Sequence, residues 1–268
     1  MGPNEFLVTK EFRRFEEFCN ACFRERHIGI CYGPPGVGKT LSARHYAKVD
    51  IIERVFDDAI SVEEAHVVGN VFISCPTIFY TATVMNSPKK IKDDLEKYRV
   101  NLFSSIFDIE KKLQSKAFEF RESYSANIII DEADRLHIKT LEQVREIYDE
   151  MDNLGVILIG MPGLEKRLAR YSQLYSRVGF AHEYRPVGKE EMLFILQHHW
   201  GKLGLELDKE NFADNEAVAA VARITNGNFR LIHRLFSQIK RIMKVNELRS
   251  ISKEVVEAAR DCLVIGNL

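Results

Sequence analysis

Eight consecutive residues carry the clearest chemistry. Gly33-Pro34-Pro35-Gly36-Val37-Gly38-Lys39-Thr40 fits G-x-x-x-x-G-K-[ST], the pattern of a polyphosphate cradle. Glycines leave no Cβ in the way, so successive backbone N–H groups converge on phosphate oxygens. Lys39 is placed for the β- and γ-phosphates of a nucleoside triphosphate, and the Thr40 hydroxyl for Mg²⁺. Leu41 continues into a helix whose free N–H groups and dipole favour an anion. A plain Gly/Pro turn would not require Lys and Thr at those places.

A second constellation lies about ninety residues downstream. Ala126-Asn127-Ile128-Ile129-Ile130-Asp131-Glu132-Ala133-Asp134 is a β-branched run that ends in carboxylates. It reads as a buried parallel strand whose C-terminal end meets a ligand crevice. In a triphosphate site, Asp131 would hold the metal's water shell and Glu132 would polarise an attacking water.

Positioning these groups requires a particular set of elements. His27–Tyr32 reads as a strand feeding the glycine loop, and Leu41–Lys48 as the helix leaving it. Thr9–Arg26 reads as an amphipathic helix with Phe12, Phe15, Phe18, Cys19, Cys22 and Phe23 on one face. Asp50–Gly69 suits a surface helix, Asn70–Pro76 a buried strand, and Thr77–Ser87 shows no clear period. Ser87 and Pro88 mark a helix start, followed by Lys89, Lys90 and Lys92 where the dipole disfavours cations, which hints at an anionic partner. Phe103–Arg121 continues as a second helical stretch with Lys111, Lys112 and Lys116. Beyond Asp134 come a helix over Thr140–Asn153 and a strand over Gly155–Gly160, placed between the loop strand and the Asp131 strand. A basic helix over Pro162–Ser176 and a last strand over Ala181–Pro186 follow. Four helical patterns then run over Lys189–Lys202, Asn215–Thr225, Phe229–Val245 and Lys253–Leu263.

Bulk properties exclude several classes. The chain has 268 residues and a formal net charge of −1, so no global basic field marks it as a nucleic-acid binder, and any such site must be local. No apolar run approaches the roughly 20 residues of a membrane span, and Met1–Lys10 has no signal-peptide core. A cytoplasmic protein with no membrane partner is expected. The five cysteines are scattered and odd in number, against a disulfide framework; Cys19 and Cys22 read as buried small hydrophobes rather than zinc ligands.

Together with the glycine loop and the D-E strand, Ser176-Arg177-Val178-Gly179 and Gly227-Asn228-Phe229-Arg230 resemble an AAA+ ATPase from about His27 onward. The resemblance implies an α/β core with a five-stranded parallel sheet in the order 5-1-4-3-2, followed by a small all-α lid. It divides the chain into an N-terminal helix (1–26), a nucleotide-binding core (27–187) and a lid (188–268). It implies ATP and Mg²⁺ as cofactors. Gly33–Leu41 and Arg230 would hold the nucleotide, and Thr40 and Asp131 the metal. Lys39, Glu132, Arg177 and Arg230 would serve catalysis, Arg177 by pointing at the γ-phosphate held by a neighbouring subunit. One position departs: Met161 stands where many members carry Asn, Thr or Ser, which favours a slow, switch-like ATPase.

Within AAA+, the layout is similar to the TniB/TnsC and Mu B group of DNA-transposition regulators. That likeness implies double-stranded DNA bound by a ring or helical filament of the protein, with a transposase and a target-selection protein as further partners. By position, Lys89, Lys90, Lys111, Lys112 and Lys116 become the DNA contacts. Two alternatives stay open: a replication initiator or clamp-loader-like module, disfavoured because no winged helix follows the lid, and a non-DNA switch ATPase such as a secretion-associated one.

Overall fold

The computed structural model describes residues 6–57, 76–113, 126–151, 154–208 and 210–263. The chain divides into two compact units, Phe12–Gly33 with Lys39–Tyr184, and Met1–Glu11 with Pro34–Gly38 and Arg185–Leu268.

The first unit is built on a sheet of five parallel strands: β1 (Ile28–Tyr32), β2 (Thr77–Thr81), β3 (Asn127–Asp131), β4 (Val156–Gly160) and β5 (Val178–Glu183). Their order is β2-β3-β4-β1-β5, which is the expected 5-1-4-3-2 read from the other edge. Ile28 faces Val156 across β1 and β4, and Ile128 faces Val156 across β3 and β4. The central strands are short apolar runs because helices cover both faces of a parallel sheet, so alternation is lost. Every residue of β4 is buried. Helix α1 (Lys10–Arg24) lies against β1 so closely that a Cβ on Gly29 would come within 2.5 Å of the Cys22 sulfur. Phe12, Phe15, Phe18, Cys19, Cys22 and Phe23 are all buried there, as their helical spacing requires. Burial pushes the Cys22 thiol up to about 12, so it packs as a small hydrophobe.

Among the described residues, six further α-helices belong to this unit. Helix α2 (Lys39–Tyr46) leaves the glycine loop, and α3 (Val49–Phe56) follows. Helix α4 is one continuous helix over Pro88–Leu113, where the sequence suggested two stretches. Ser87 caps it, its Oγ accepting from the Lys90 N–H at 3.2 Å. Helix α5 (Ile138–Glu150) follows β3, and the expected single helix over 162–176 is broken into α6 (Leu164–Leu168) and α7 (Ser172–Tyr175).

The structure differs from the sequence reading at two strands. The strand read over 70–76 falls almost wholly outside the described residues, and β2 is Thr77–Thr81, paired with β3 from Thr77↔Asn127 to Thr81↔Asp131. Four of its five residues are buried, so its Thr and aromatic side chains show no amphipathic period. The last strand begins at Val178 rather than Ala181, because an edge strand that pairs only with β1 leaves most of its side chains half-buried or exposed.

The C-terminal helices are α8 (Lys189–Gly201), α9 (Phe212–Thr225), α10 (Phe229–Val245) and α11 (Lys253–Asp261). Their own core includes Leu196, Trp200, Val221, Ile232, Leu235, Ile239 and Val256. Side-chain oxygens of Asn211, Asn228 and Ser252 cap α9, α10 and α11. Such caps typically stabilise a helix by about 1 kcal/mol each.

Candidate nucleotide site and basic surfaces

The loop after β1 is a product of its glycines. A Cβ on Gly33 would lie 2.2 Å from the Tyr184 carbonyl oxygen, and Gly36 and Gly38 take φ of +79° and +116°. Only glycine meets both demands cheaply. Val37 is buried and anchors the loop, Pro34 is half-buried, and Pro35 is exposed. Asn228 donates from Nδ2 to the Pro35 carbonyl at 2.9 Å, and the Arg230 N–H donates to the Gly36 carbonyl at 3.1 Å. The Arg230 side chain is exposed. A Cβ on Gly36 would come within 2.5 Å of the Asn228 amide oxygen, so that glycine is also needed for close approach.

The chemistry-bearing groups of the sheet unit gather at the C-terminal ends of β1, β3 and β4. Lys39 is 9% exposed and donates from Nζ to the Gly33 carbonyl at 2.6 Å. Burial lowers its pKa, opposed by Cys31, Asp131, Asp134 and Glu132. A buried ammonium at the start of a helix is placed to meet a phosphate. The Thr40 hydroxyl donates to Asp131 Oδ2 at 2.7 Å, and the Glu132 N–H donates to Asp131 Oδ1 at 3.0 Å. Burial raises the Asp131 pKa; the Thr40 and Glu132 hydrogen bonds resist that rise.

Glu132 sits in the left-handed region at φ +56°. This turns the chain sharply after β3 and leaves its side chain 44% exposed, with Oε2 3.5 Å from the Arg135 guanidinium. Arg135 also donates to the Ala82 carbonyl at 2.9 Å, and Asn86 donates to the Arg135 carbonyl at 2.9 Å. The loop after β2, with Val84 and Met85 at 74% and 86% exposure, is thereby tied to the residue beside β3 that would activate water.

Asp134 fills a gap that sequence reasoning left. Its Oδ2 accepts from the Met161 N–H at 2.7 Å, and a Cβ on Gly160 would lie 2.3 Å from that oxygen. A carboxylate therefore occupies the end of β4 where the Met161 thioether offers little. Arg167 donates to the carbonyls of Asp134 and Leu136, fixing the same turn. Nothing in the local pattern marks Arg135 or Asp134 as contacts, since both depend on which strands end side by side.

Arg177 is engaged within its own chain. Its Nε and Nη2 reach Asp149 Oδ1 and Oδ2 at 2.5 and 2.7 Å, a two-pronged pair that holds the Asp149 carboxyl below the usual carboxylate range. Arg145 joins the same carboxylate at 2.6 Å.

The five lysines read as DNA contacts do not form one cluster. Lys89 and Lys90 are exposed at the start of α4, with Lys90 paired to Asp94 at 3.3 Å. Lys111 is exposed near the far end of that helix, about 30 Å away at 1.5 Å per residue. The side chain of Lys112 and all of Lys116 lie outside the described residues.

Taken together, the glycine loop, a buried lysine at a helix start, and a hydroxyl bonded to a buried carboxylate fit a triphosphate and a hard cation. Thr40 and Asp131 are the hard-oxygen donors. Among the described residues, no group of three His, Cys, Asp or Glu side chains could hold a metal by itself. Magnesium typically takes few protein ligands and completes its shell with phosphate and water oxygens.

This is the architecture of a P-loop NTPase of the AAA+ type, a parallel sheet in the order 2-3-4-1-5 with the glycine loop after β1. Residues 23–168, more than half of the chain, match the AAA domain family. A "Potential ATP-binding protein" of Staphylococcus aureus is 47% identical over 270 residues, spanning 97% of both chains. The chain belongs to the AAA domain family. Among solved structures, the Thermotoga maritima RuvB Holliday junction branch migration motor is similar over 98% of this chain and 72% of its own, with a TM-score of 0.57 at 16% identity. The Aeropyrum pernix ORC2 protein is similar over 97% and 70%, with a TM-score of 0.61 at 14% identity. At such identities these likenesses bear on the fold alone.

Proposed function

We propose that this protein is an ATP-dependent, DNA-binding ATPase that assembles on DNA and regulates transposition by capturing target DNA and recruiting or activating a transposase. The observation that carries the ATPase reading is the Thr40–Asp131 bond beside buried Lys39, with Glu132 next in the chain. It would set a cation and a phosphate at the ends of β1 and β3, either side of β4. The 47%-identical relative described as a potential ATP-binding protein supports the nucleotide.

In this reading Lys39 and the loop N–H groups hold and orient the triphosphate. Thr40 and Asp131 would hold Mg²⁺, which when bound neutralises charge on the phosphate oxygens. Glu132 orients and deprotonates the attacking water once its carboxylate leaves Arg135. Asp134 fixes the end of β4 through the Met161 N–H, and no side-chain amide or hydroxyl at 161 helps to place the water, so turnover is slow. Arg230 touches the bound nucleotide, and Arg177 completes a neighbouring protomer's site after exchanging Asp149 for phosphate. A head-to-tail interface of this type closes as a ring or propagates as a filament. Lys89, Lys90, Lys111, Lys112 and Lys116 supply DNA contacts, and hydrolysis times disassembly.

The test is ATP turnover with and without duplex DNA, in the parent and in Glu132→Gln. Turnover should rise with DNA, and Glu132→Gln should bind ATP and DNA normally while turnover falls by about 10²-fold or more. A variant that hydrolysed ATP at the parental rate would remove Glu132 from the reaction. A parent that ignored DNA in both binding and turnover would remove DNA from the function.

A further inference from the structure

Helix α10 carries five Lys or Arg residues and no Asp or Glu in 17 residues, in a protein whose net charge is −1. Its buried residues are Ile232, Leu235, Phe236, Ile239 and Met243. At 100° per residue, Arg234, Lys240, Arg241 and Lys244 fall on the opposite side, within about a third of the circumference and over about 15 Å of axis. All four are exposed, and none makes an ion pair among the described residues. Between Arg234 and Lys244 only Ser237 lies among them on that face; His233 and Arg230 continue the face toward the helix start, and all three are exposed. Lys202 enters from the end of α8. With Lys240 and Lys244 it borders a groove of ≈ 440 Å³ over Leu203, Met243 and Leu248, which holds one carboxylate, Glu247. Arg249 is exposed just beyond.

Four unpaired cations side by side repel one another, and a helix that needed only solubility would interleave acids, as α4 does. We infer that this face of α10, with Lys202, is a docking surface for the phosphate backbone of nucleic acid. The stripe is wholly polar and cationic, so it reads charge rather than base sequence. An acidic protein partner would call for aromatic or aliphatic anchors at the centre of the charges, whereas the exposed apolar side chains here, Val245 and Leu248, lie at one end of the stripe. The inference rests on the DNA-binding reading above and relocates a principal contact surface to the C-terminal helices.

The experiment titrates a fluorescent 40-base-pair duplex by anisotropy between 50 and 200 mM KCl, in a non-hydrolysable ATP analogue. Lys240→Ala/Arg241→Ala/Lys244→Ala should weaken binding at least about tenfold near 150 mM salt and lower the magnitude of the log–log salt slope by about 2 to 3, close to one per lost phosphate contact. The loss should be equal on unrelated duplex sequences, with basal ATP turnover and thermal unfolding unchanged. Lys240→Arg/Lys244→Arg, which keeps the charge, should bind as the parent does and guards against a folding defect. Parental affinity and slope in the triple alanine variant would overturn the inference while leaving DNA binding itself intact. So would a triple variant that kept duplex binding but lost binding to polyglutamate, since the face would then serve an acidic protein. A parent with no duplex affinity at any salt would instead sink the DNA-binding reading as a whole.

Discussion

Helices α4 and α10 are both rich in lysine and arginine, and they are built for different surroundings. Helix α4 has 26 residues whose cations alternate with Asp93, Asp94, Glu96, Asp108 and Glu110. Half of its cations with described side chains are spent within the chain: Lys90 on Asp94, Arg99 on Glu96 at 2.8 Å, and Lys92 facing Glu150 at 3.9 Å, while Lys89, Lys97 and Lys111 make no ion pair among the described residues. Helix α10 keeps its cations on one face with nothing opposite. Counting basic residues along a sequence ranks the two alike; asking which charges already have partners separates them. Exposed pairs such as Lys90–Asp94 stabilise the fold by well under about 1 kcal/mol. Their effect is to lower the local field that a phosphate would feel.

The largest effect that bears on this comparison comes from outside both helices. Lys39→Ala should weaken ATP binding on the order of 100-fold or more by equilibrium titration, since it removes the buried cation of the loop. If α4 and α10 both meet DNA only in the ATP-bound assembly, this variant silences both. Nucleotide-independent duplex binding of full strength would show that either surface works alone.

Next in size is the Arg177–Asp149 pair. Arg177→Ala should reduce assembly-dependent turnover on the order of 10³-fold, the usual scale for an arginine supplied in trans, while leaving ATP affinity nearly unchanged. Asp149→Asn frees the same guanidinium and should change turnover only severalfold. Equal losses in the two variants would mean that the pair serves the fold rather than the reaction, and would leave neither helix a trans-completed assembly to bind through.

Smaller and most pointed is the contrast between the basic faces. Lys89→Ala/Lys90→Ala should lower the salt slope of duplex binding by at most about 1 to 2, less than the α10 triple variant, because Lys90 is already shared with Asp94. The reverse ranking would return the principal DNA surface to α4.

The smallest effect is a pH signature of the helices that carry the α10 face. His199 stacks on Phe236 of α10 with ring centroids 4.6 Å apart. Burial lowers its pKa from 6.5 to about 4, helped by Lys202, His198 and His233. Between those values the unfolded chain binds more protons than the folded one, so this contribution to stability is complete above about pH 6.5 and is lost as pH falls towards 4. Thermal unfolding should drop by several degrees from pH 7 to 5, and His199→Phe should flatten that dependence. An unchanged slope in the variant would place the acid sensitivity elsewhere.

Much of this could be read from residue order. The glycine loop, the strand ending in Asp131-Glu132 and the α10 boundaries at 229 and 245 follow from local pattern, because each is a short-range demand of backbone or period. Strand β2 does not, since it is buried on both faces and its Thr and aromatic residues mimic a loop. The bonds from Asp134 to Met161 and from Arg135 to Ala82 were equally hidden, because they join residues 27 and 53 apart. The α10 face lay between these cases. Its residues were legible as a helix, but that its charges lack partners is a statement about space.

The central claim is that ATP and DNA together hold copies of this protein in one assembly. The most direct measurement is solution mass, by light scattering or sedimentation, at saturating non-hydrolysable ATP analogue with and without a 40-base-pair duplex. The account predicts a particle of many protomers that needs both ligands and that Lys39→Ala fails to form. A single protomer at saturation with both would contradict it.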